Sequence, residues 1–298
     1  MRVALLGFGL IGGSIARALA ERSTPDDHDR GWQVVAWTPS GTGPAAAREA
    51  GIIAEAHARP EEALGGADLI VLAAPVPDCL ALLDDLAGPW REVIADGAVI
   101  TDVASTKSAI VLRATALGLR FVGGHPMAGR ETSGYAAADP HLFLDRPWVV
   151  VPSGDEDAEA RVEALARATG ARPIRLTATT HDAAVAAISH LPLVVSAALV
   201  EAVAGRPKGD DTAARDWATA AELVAGGWRD TIRLARGDVA MGTGMLTTNA
   251  TQVAIRIRDL IGVLEDWLVD LEHPDGPDQE AIAQRLEAAR ERASETVS

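Results

Sequence analysis

The residues best suited to acid–base chemistry stand in one short run, Gly123-Gly124-His125-Pro126-Met127-Ala128-Gly129. An imidazole changes charge near neutral pH, so a histidine held between a glycine pair and a proline can take a proton from an alcohol. The run reads as a rigid turn closing a strand over Leu119 to Val122, and His125 there suits a catalytic base or a well-satisfied structural histidine equally. Upstream, Val99-Ile-Thr-Asp102-Val-Ala-Ser105-Thr-Lys107 predicts a second strand that leaves Asp102 and Ser105 at its carboxyl end. Ligands of open α/β sheets bind at such ends, among them a nicotinamide and its substrate. The competing role for Ser105 is to cap the helix predicted over Lys107 to Leu117. Farther on, Ser189-His190-Leu191-Pro192 sets a histidine before a mid-helix proline that bends the helix, so His190 either faces a cleft or fills a core or capping position. Arg229 and Arg233 are four apart on one predicted helical face. They form either surface ion pairs, with Asp230 and Asp238 at hand, or a fork for a substrate carboxylate.

These groups need a scaffold, and the opening of the chain supplies its signature. Met1 to Leu6 reads as an apolar strand, Gly7-Phe-Gly9-Leu10-Ile11-Gly12 follows, and a helix pattern continues to Ala20. That is G-x-G-x-x-G between a strand and a helix, the context in which the motif indicates dinucleotide binding. Gly7 permits the tight turn, Gly9 lets the backbone approach a pyrophosphate, Gly12 lets helix and strand pack closely, and the amides of the first helical turn face the phosphates. After a polar stretch, Glu21 to Arg30, a strand at Gln33 to Trp37 ends in Thr38-Pro39-Ser40-Gly41-Thr42. An NAD-binding fold places an acidic residue there for the ribose hydroxyls. With hydroxyl side chains instead, nothing repels a 2′-phosphate, so the sequence favours NADP, with Arg48 as a stand-in for the usual arginine; the plainer reading is that Ser and Thr fill a turn. A helix at Ala45 to Ala50, a buried strand from Ala67 ending at Ala74 and Pro75 beside the cofactor, a helix at Asp78 to Leu86, and further βα alternation through Arg146 to Leu176 complete the pattern.

The net charge of −15 excludes the broad basic face that nucleic acid or an anionic membrane surface requires. A single cysteine, Cys79, allows no internal disulfide, which fits a reducing, cytoplasmic setting. No metal-ligand pattern emerges. Arg2 precedes an apolar run, but four glycines interrupt it, so it reads as core and not as a signal segment. Leu191 to Val203 is the nearest approach to a membrane span, and it carries Glu201. No membrane partner is expected.

Beyond Thr177 strand signals vanish, and helices are predicted over Thr180 to Ala204, Thr212 to Leu223 and Thr247 to Leu271. The expected organisation is therefore a Rossmann-type α/β dinucleotide-binding domain over 1–176, an all-α substrate and dimerisation domain over 177–273, and a linker with a charged helix over 274–298. Long apolar helices with few partners of their own point to a homodimer.

Taken together, Gly7-Phe-Gly-Leu-Ile-Gly-Gly-Ser14, Asp102-Val-Ala-Ser-Thr-Lys107, Gly124-His-Pro-Met-Ala-Gly129 with Ser133-Gly134, Ser189-His-Leu-Pro192 and Gly227-Trp-Arg-Asp-Thr-Ile-Arg233 resemble the prephenate/arogenate dehydrogenase family of tyrosine biosynthesis. The resemblance implies oxidative decarboxylation of a cyclohexadienyl substrate with NADP or NAD. It implies that His125 takes the ring-hydroxyl proton, Ser105 orients His125, Arg233 grips a substrate carboxylate beside Arg229, and His190 lines the cleft. The chain departs from the family pattern where Leu193 replaces a histidine that many members carry, at Arg130-Glu131-Thr132, and at Met241-Gly242-Thr243-Gly244-Met245, which resembles the arogenate-using, NADP-preferring branch. No appended domain for feedback by tyrosine is expected. Two other readings share these motifs: a dehydrogenase for an amino-substituted prephenate, and a dinucleotide-sensing protein without chemistry.

Overall fold

The computed structural model describes residues 1–22, 31–130, 132–205 and 212–296. Most of the polar stretch over 21–30, together with Glu131, lies outside the described residues. The chain forms two compact units, Met1–Ala250 and Thr251–Ser298.

In the first unit, β1 (Arg2–Leu6), β2 (Gln33–Trp37), β3 (Glu55–Ala56), β4 (Leu69–Leu72), β5 (Val99–Asp102) and β6 (Phe121–Val122) form a sheet of order β3-β2-β1-β4-β5-β6. Every pair is parallel. Parallel strands need crossovers, and α1 (Leu10–Arg22), α2 (Thr42–Glu49), α3 (Pro60–Leu64), α4 (Val76–Ala87) and α5 (Ser108–Ala116) lie between successive strands. Helix-covered faces explain the unbroken apolar runs of β1 and β4, whose residues from Val3 to Leu6 and Leu69 to Leu72 are buried. One core layer joins Leu5, Ile15, Val71 and Val99, and the other Leu6, Leu72, Leu83 and Ile100. Cys79 belongs to the second, where burial pushes its thiol up to about 12.

The predicted βα alternation does not extend the main sheet past β6. Instead β7 (Gly124–Pro126), β8 (Pro147–Val150) and β9 (Arg172–Arg175) make a separate sheet, β7 antiparallel to β8 and β8 parallel to β9, with α6 (Glu156–Ala168) before β9. His125 therefore stands in a short strand opposite Val149 and not in a turn. A strand fixes it as firmly, because ladder hydrogen bonds replace turn geometry.

The helical remainder of this unit begins with α7 (Ala178–Val185), one π-helical turn (Ala186–His190) and α8 (Leu191–Ala204). The helical run from Ala178 to Ala204 covers the predicted Thr180 to Ala204 and, where no stretch was expected to reach that limit, is long and apolar enough, by length and composition, to cross a membrane. Next come α9 (Thr212–Glu222), α10 (Gly226–Thr231), a 3₁₀ turn (Arg233–Arg236) and α11 (Val239–Thr248). The predicted Thr247 to Leu271 helix is broken at Asn249, beyond which α12 (Ala250–Leu271) and α13 (Gln279–Thr296) follow.

Candidate active site

All six parallel strands point the same way, so the glycine turn after β1, the Ala73–Pro75 segment after β4, the loop after β5 and the His125 strand after β6 share the carboxyl edge of the sheet. At Gly7 the backbone has φ +102°, and a Cβ there would sit 2.4 Å from the Ala73 carbonyl oxygen. Only glycine fits that position. At Gly12 a Cβ would come within 2.5 Å of the Gly7 carbonyl, whereas at Gly9 it would meet nothing within 4 Å. The closed positions pin α1 against the turn, and the open one leaves the backbone approachable. The first bond inside α1 runs from the Gly13 amide to the Gly9 carbonyl at 3.0 Å, so the Leu10, Ile11 and Gly12 amides precede the hydrogen-bonded ladder. These residues suit a pyrophosphate, and with it a dinucleotide.

The end of β2 lies beside this turn, since the Gly7 amide donates to the Trp37 carbonyl at 2.9 Å. Thr38 accepts from the Gly41 amide at 3.0 Å, and the exposed Ser40 and Thr42 hydroxyls bond each other at 3.1 Å. The hydroxyls thus lie close to the glycine turn while also serving the turn that follows β2. Arg48 is exposed in the last turn of α2. Ala74 is half-buried and Pro75 exposed just past β4.

Asp102, expected to face the cofactor, is fully buried and forms an ion pair with the equally buried Lys107. It also accepts from the Ala104 amide at 3.0 Å and the Gly124 amide at 3.1 Å. Burial pushes its carboxyl up, and Lys107 and the two amides oppose the rise. Asp102 therefore joins β5 to the His125 strand from beneath. A Cβ at Gly124 would lie 2.6 Å from the Asp102 carbonyl oxygen, which explains the glycine before the histidine.

The sequence reading missed His125's main partner. His125 Nδ1 lies 2.7 Å from His181 Nε2, and His181 Nδ1 lies 2.8 Å from Asp182 Oδ1. Asp182 accepts in addition from the Lys107 amide and the Ser108 amide, each at 2.8 Å. Burial works against its charge, yet the hydrogen bonds from His181, Ser108 and Lys107 prevail and hold the carboxyl at about 2. Asp182 thus caps α5 from α7, and Ser105 does not. Nor does Ser105 orient His125 by a hydrogen bond: among the described residues Nδ1 is engaged by His181, and Ser105 is half-buried in the β5–α5 loop. Burial pushes the His125 imidazole well below its ordinary value, helped by His181, Lys107 and His190. The imidazole is therefore neutral at physiological pH.

His190 closes the π-helical turn and is buried. Pro192 lacks an amide, so the π turn takes up the break where a smooth helix would lose a bond. Asn249, at the break between α11 and α12, donates through Nδ2 to the Asp182 carbonyl at 2.8 Å and lies 3.3 Å from His190 Nδ1. Burial lowers the His190 pKa, His181 adds to this, and Asp182 opposes it. The structure therefore gathers His125, His181, Asp182, His190, Asn249, Lys107 and Asp102 within one unit.

The arginines are arranged differently from the prediction. Arg229 is on α10 and Arg233 opens the 3₁₀ turn, with Ile232 ending the helix between them, so the two do not stand on one continuous helix. Both are exposed. The turn bearing Arg233 is tied to α8, where the Ser196 hydroxyl donates to the Thr231 carbonyl at 3.0 Å and accepts from the Ala235 amide at 3.1 Å.

His181 and Asp182 went unnoticed because neighbours in a helix project to different sides, so an adjacent pair carries no facing signal. The only mark was a His-Asp dipeptide within a helix otherwise rich in alanine and threonine.

Two family matches cover consecutive parts of the chain. Residues 30–175 match the family described as prephenate dehydrogenase, nucleotide-binding domain, and residues 177–273 match prephenate dehydrogenase, dimerization domain. The prephenate dehydrogenase of Bacillus subtilis is 30% identical over 281 residues, which cover 92% of this chain and 71% of the relative. Among solved structures, Synechocystis arogenate dehydrogenase is 31% identical with a TM-score of 0.77, over 98% of this chain and all of that one (100%). The prephenate dehydrogenase of A. aeolicus, solved with hydroxyphenyl propionate and NAD+, shares the fold at 23% identity and a TM-score of 0.81, covering 99% of this chain and 98% of that one. With matched domains on both sides of residue 176 and a relative 30% identical over most of both chains, the chain belongs to the prephenate dehydrogenase family.

Proposed function

We propose that the protein oxidatively decarboxylates prephenate or arogenate with NAD(P) as hydride acceptor, using His125 as general base. The observation that carries this reading is a neutral, partly buried imidazole, anchored by His181, at the sheet edge that also holds the glycine turn. A bound nicotinamide would supply the acceptor for the hydride on the carbon bearing the ring hydroxyl. His125 takes the hydroxyl proton, the ring carboxylate leaves as carbon dioxide as the ring becomes aromatic, and the proton returns to the phenolate oxygen so formed. The chain's own task is then to orient the ring, exclude water and accept one proton.

Gly7, Gly9, Leu10, Ile11 and Gly12 hold the pyrophosphate, Thr38 and Ser40 the adenosine ribose or its 2′-phosphate, and Ala74 and Pro75 flank the cofactor. In this reading NADP is preferred, since no acidic side chain ends β2. Arg233 grips a substrate carboxylate with Arg229 beside it, and Ser105 and His190 line the substrate space. Residues 1–176 bind nucleotide, and residues 177–273 bind substrate and pair two copies into a homodimer, followed by a linker and a charged helix over 274–298. A cytoplasmic location fits the single cysteine. Steady-state kinetics with prephenate, arogenate and the amino-substituted analogue, each with NAD and NADP, test the assignment. Turnover of none of the three would overturn it.

A further inference from the structure

The hydrogen bonds around Asp182 dictate which nitrogen carries the proton on two histidines. A carboxylate held at about 2 is ionised at neutral pH and can only accept. His181 must therefore keep its hydrogen on Nδ1, the atom 2.8 Å from Asp182 Oδ1. With that one hydrogen on its ring, His181 offers a lone pair at Nε2, which lies 2.7 Å from His125 Nδ1, so His125 holds its hydrogen on Nδ1 and leaves Nε2 bare. The second branch starts from the same residue's backbone. A carbonyl also only accepts, so the Asn249 group facing the Asp182 carbonyl at 2.8 Å is the NH₂, and the same NH₂ faces His190 Nδ1 at 3.3 Å. His190 Nδ1 is thereby the acceptor, and its hydrogen resides on Nε2.

We infer that Asp182 sets the two histidines in opposite tautomers, His125 with a bare Nε2 that accepts a proton and His190 with an Nε2–H that donates a hydrogen bond. His181, Asp182 and Asn249 are positioning residues in this scheme. The inference deepens the proposed reaction by rationalising why His125 receives a proton and His190 does not. When a substrate O–H proton moves to His125 Nε2, the hydrogen on His125 Nδ1 stays there, bonded to His181, and the imidazolium that forms is stabilised where it is by the His181–Asp182 hydrogen bonds, with no further proton transfer.

Long-range ¹⁵N–¹H correlation spectra of the purified chain test this directly, with His125→Asn and His190→Asn identifying the signals. The expected wild-type pattern is His125 protonated at Nδ1 and His190 protonated at Nε2. His181→Phe should leave Asp182 on the α5 amides, let His125 populate both tautomers, and lower kcat about 100-fold with KM changed less than threefold. Asn249→Ala should release the His190 tautomer alone. A wild-type His125 protonated at Nε2, or His181→Phe with both the His125 pattern and kcat unchanged, would overturn the inference. Should Asp182→Asn fail to fold for want of the α5 cap, His181→Phe and Asn249→Ala still decide it. The spectra need no turnover, so they stand apart from the substrate assays: activity retained in His125→Asn would sink the base assignment and leave the tautomers readable.

Discussion

In the parallel sheet every side chain of β4 is buried, and an ion pair, Asp102 with Lys107, is sealed below it. On α12, by contrast, Leu264 and Leu268 are each 52% exposed and Val269 67%. One region closes its core with its own helices. The other presents apolar surface that water alone covers within a single copy, the condition under which subunits associate. The difference teaches where chemistry can be fixed: a proton-transfer site needs groups whose partners do not depend on assembly, and the histidine cluster lies wholly in the self-contained unit.

Substitutions can break or sharpen that contrast. His125→Asn should lower kcat by about three orders of magnitude while cofactor affinity, read by fluorescence titration, changes little; near-normal turnover would refute the base role. Lys107→Met leaves Asp102 buried without its cation, so it should cost about 3 kcal/mol or more of stability in urea melts, in an unchanged oligomeric state. The double variant Leu264→Asp/Leu268→Asp should do the reverse, separating copies in sedimentation runs while circular dichroism stays helical. If it unfolds instead, α12 belongs to an internal core and the contrast fails.

The pH response falls below these in size. His125 and His190 both have lowered pKa values, so below the ordinary imidazole value of 6.5 the unfolded chain binds protons that the folded chain refuses. Stability should therefore be full above that value and decline as the pH drops from it towards the folded pKa values, and the acid limb of kcat should lie lower still than in a free imidazole. Melting temperatures across that range check it. Arg229→Ala should shift stability by at most about 0.5 kcal/mol, since its side chain is exposed.

Much of this was legible from sequence because its causes are local. Gly7 and Gly12 are required by contacts within a few residues of the turn or one strand away, and the apolar runs of β1 and β4 follow from burial on both faces. The Asp182 chain was not legible, because it joins residues 56 apart, from His125 to His181, and residues 75 apart, from Lys107 to Asp182. Asp102 was misread for a related reason: its position at a strand end was right, but position alone does not tell an exposed carboxylate from one consumed by a buried lysine. The paired-arginine expectation assumed one continuous helix, and the break at Ile232 removed its basis.

The π-helical turn over Ala186–His190 has a mechanical consequence. One residue more than a regular turn holds is wound in between the His181–Asp182 pair and the proline. Excising one residue there would restore a plain rod and remove the wider turn that His190 closes. The extra residue thus works as a shim, letting the helix run on past Pro192 while His190 keeps its place beside Asn249.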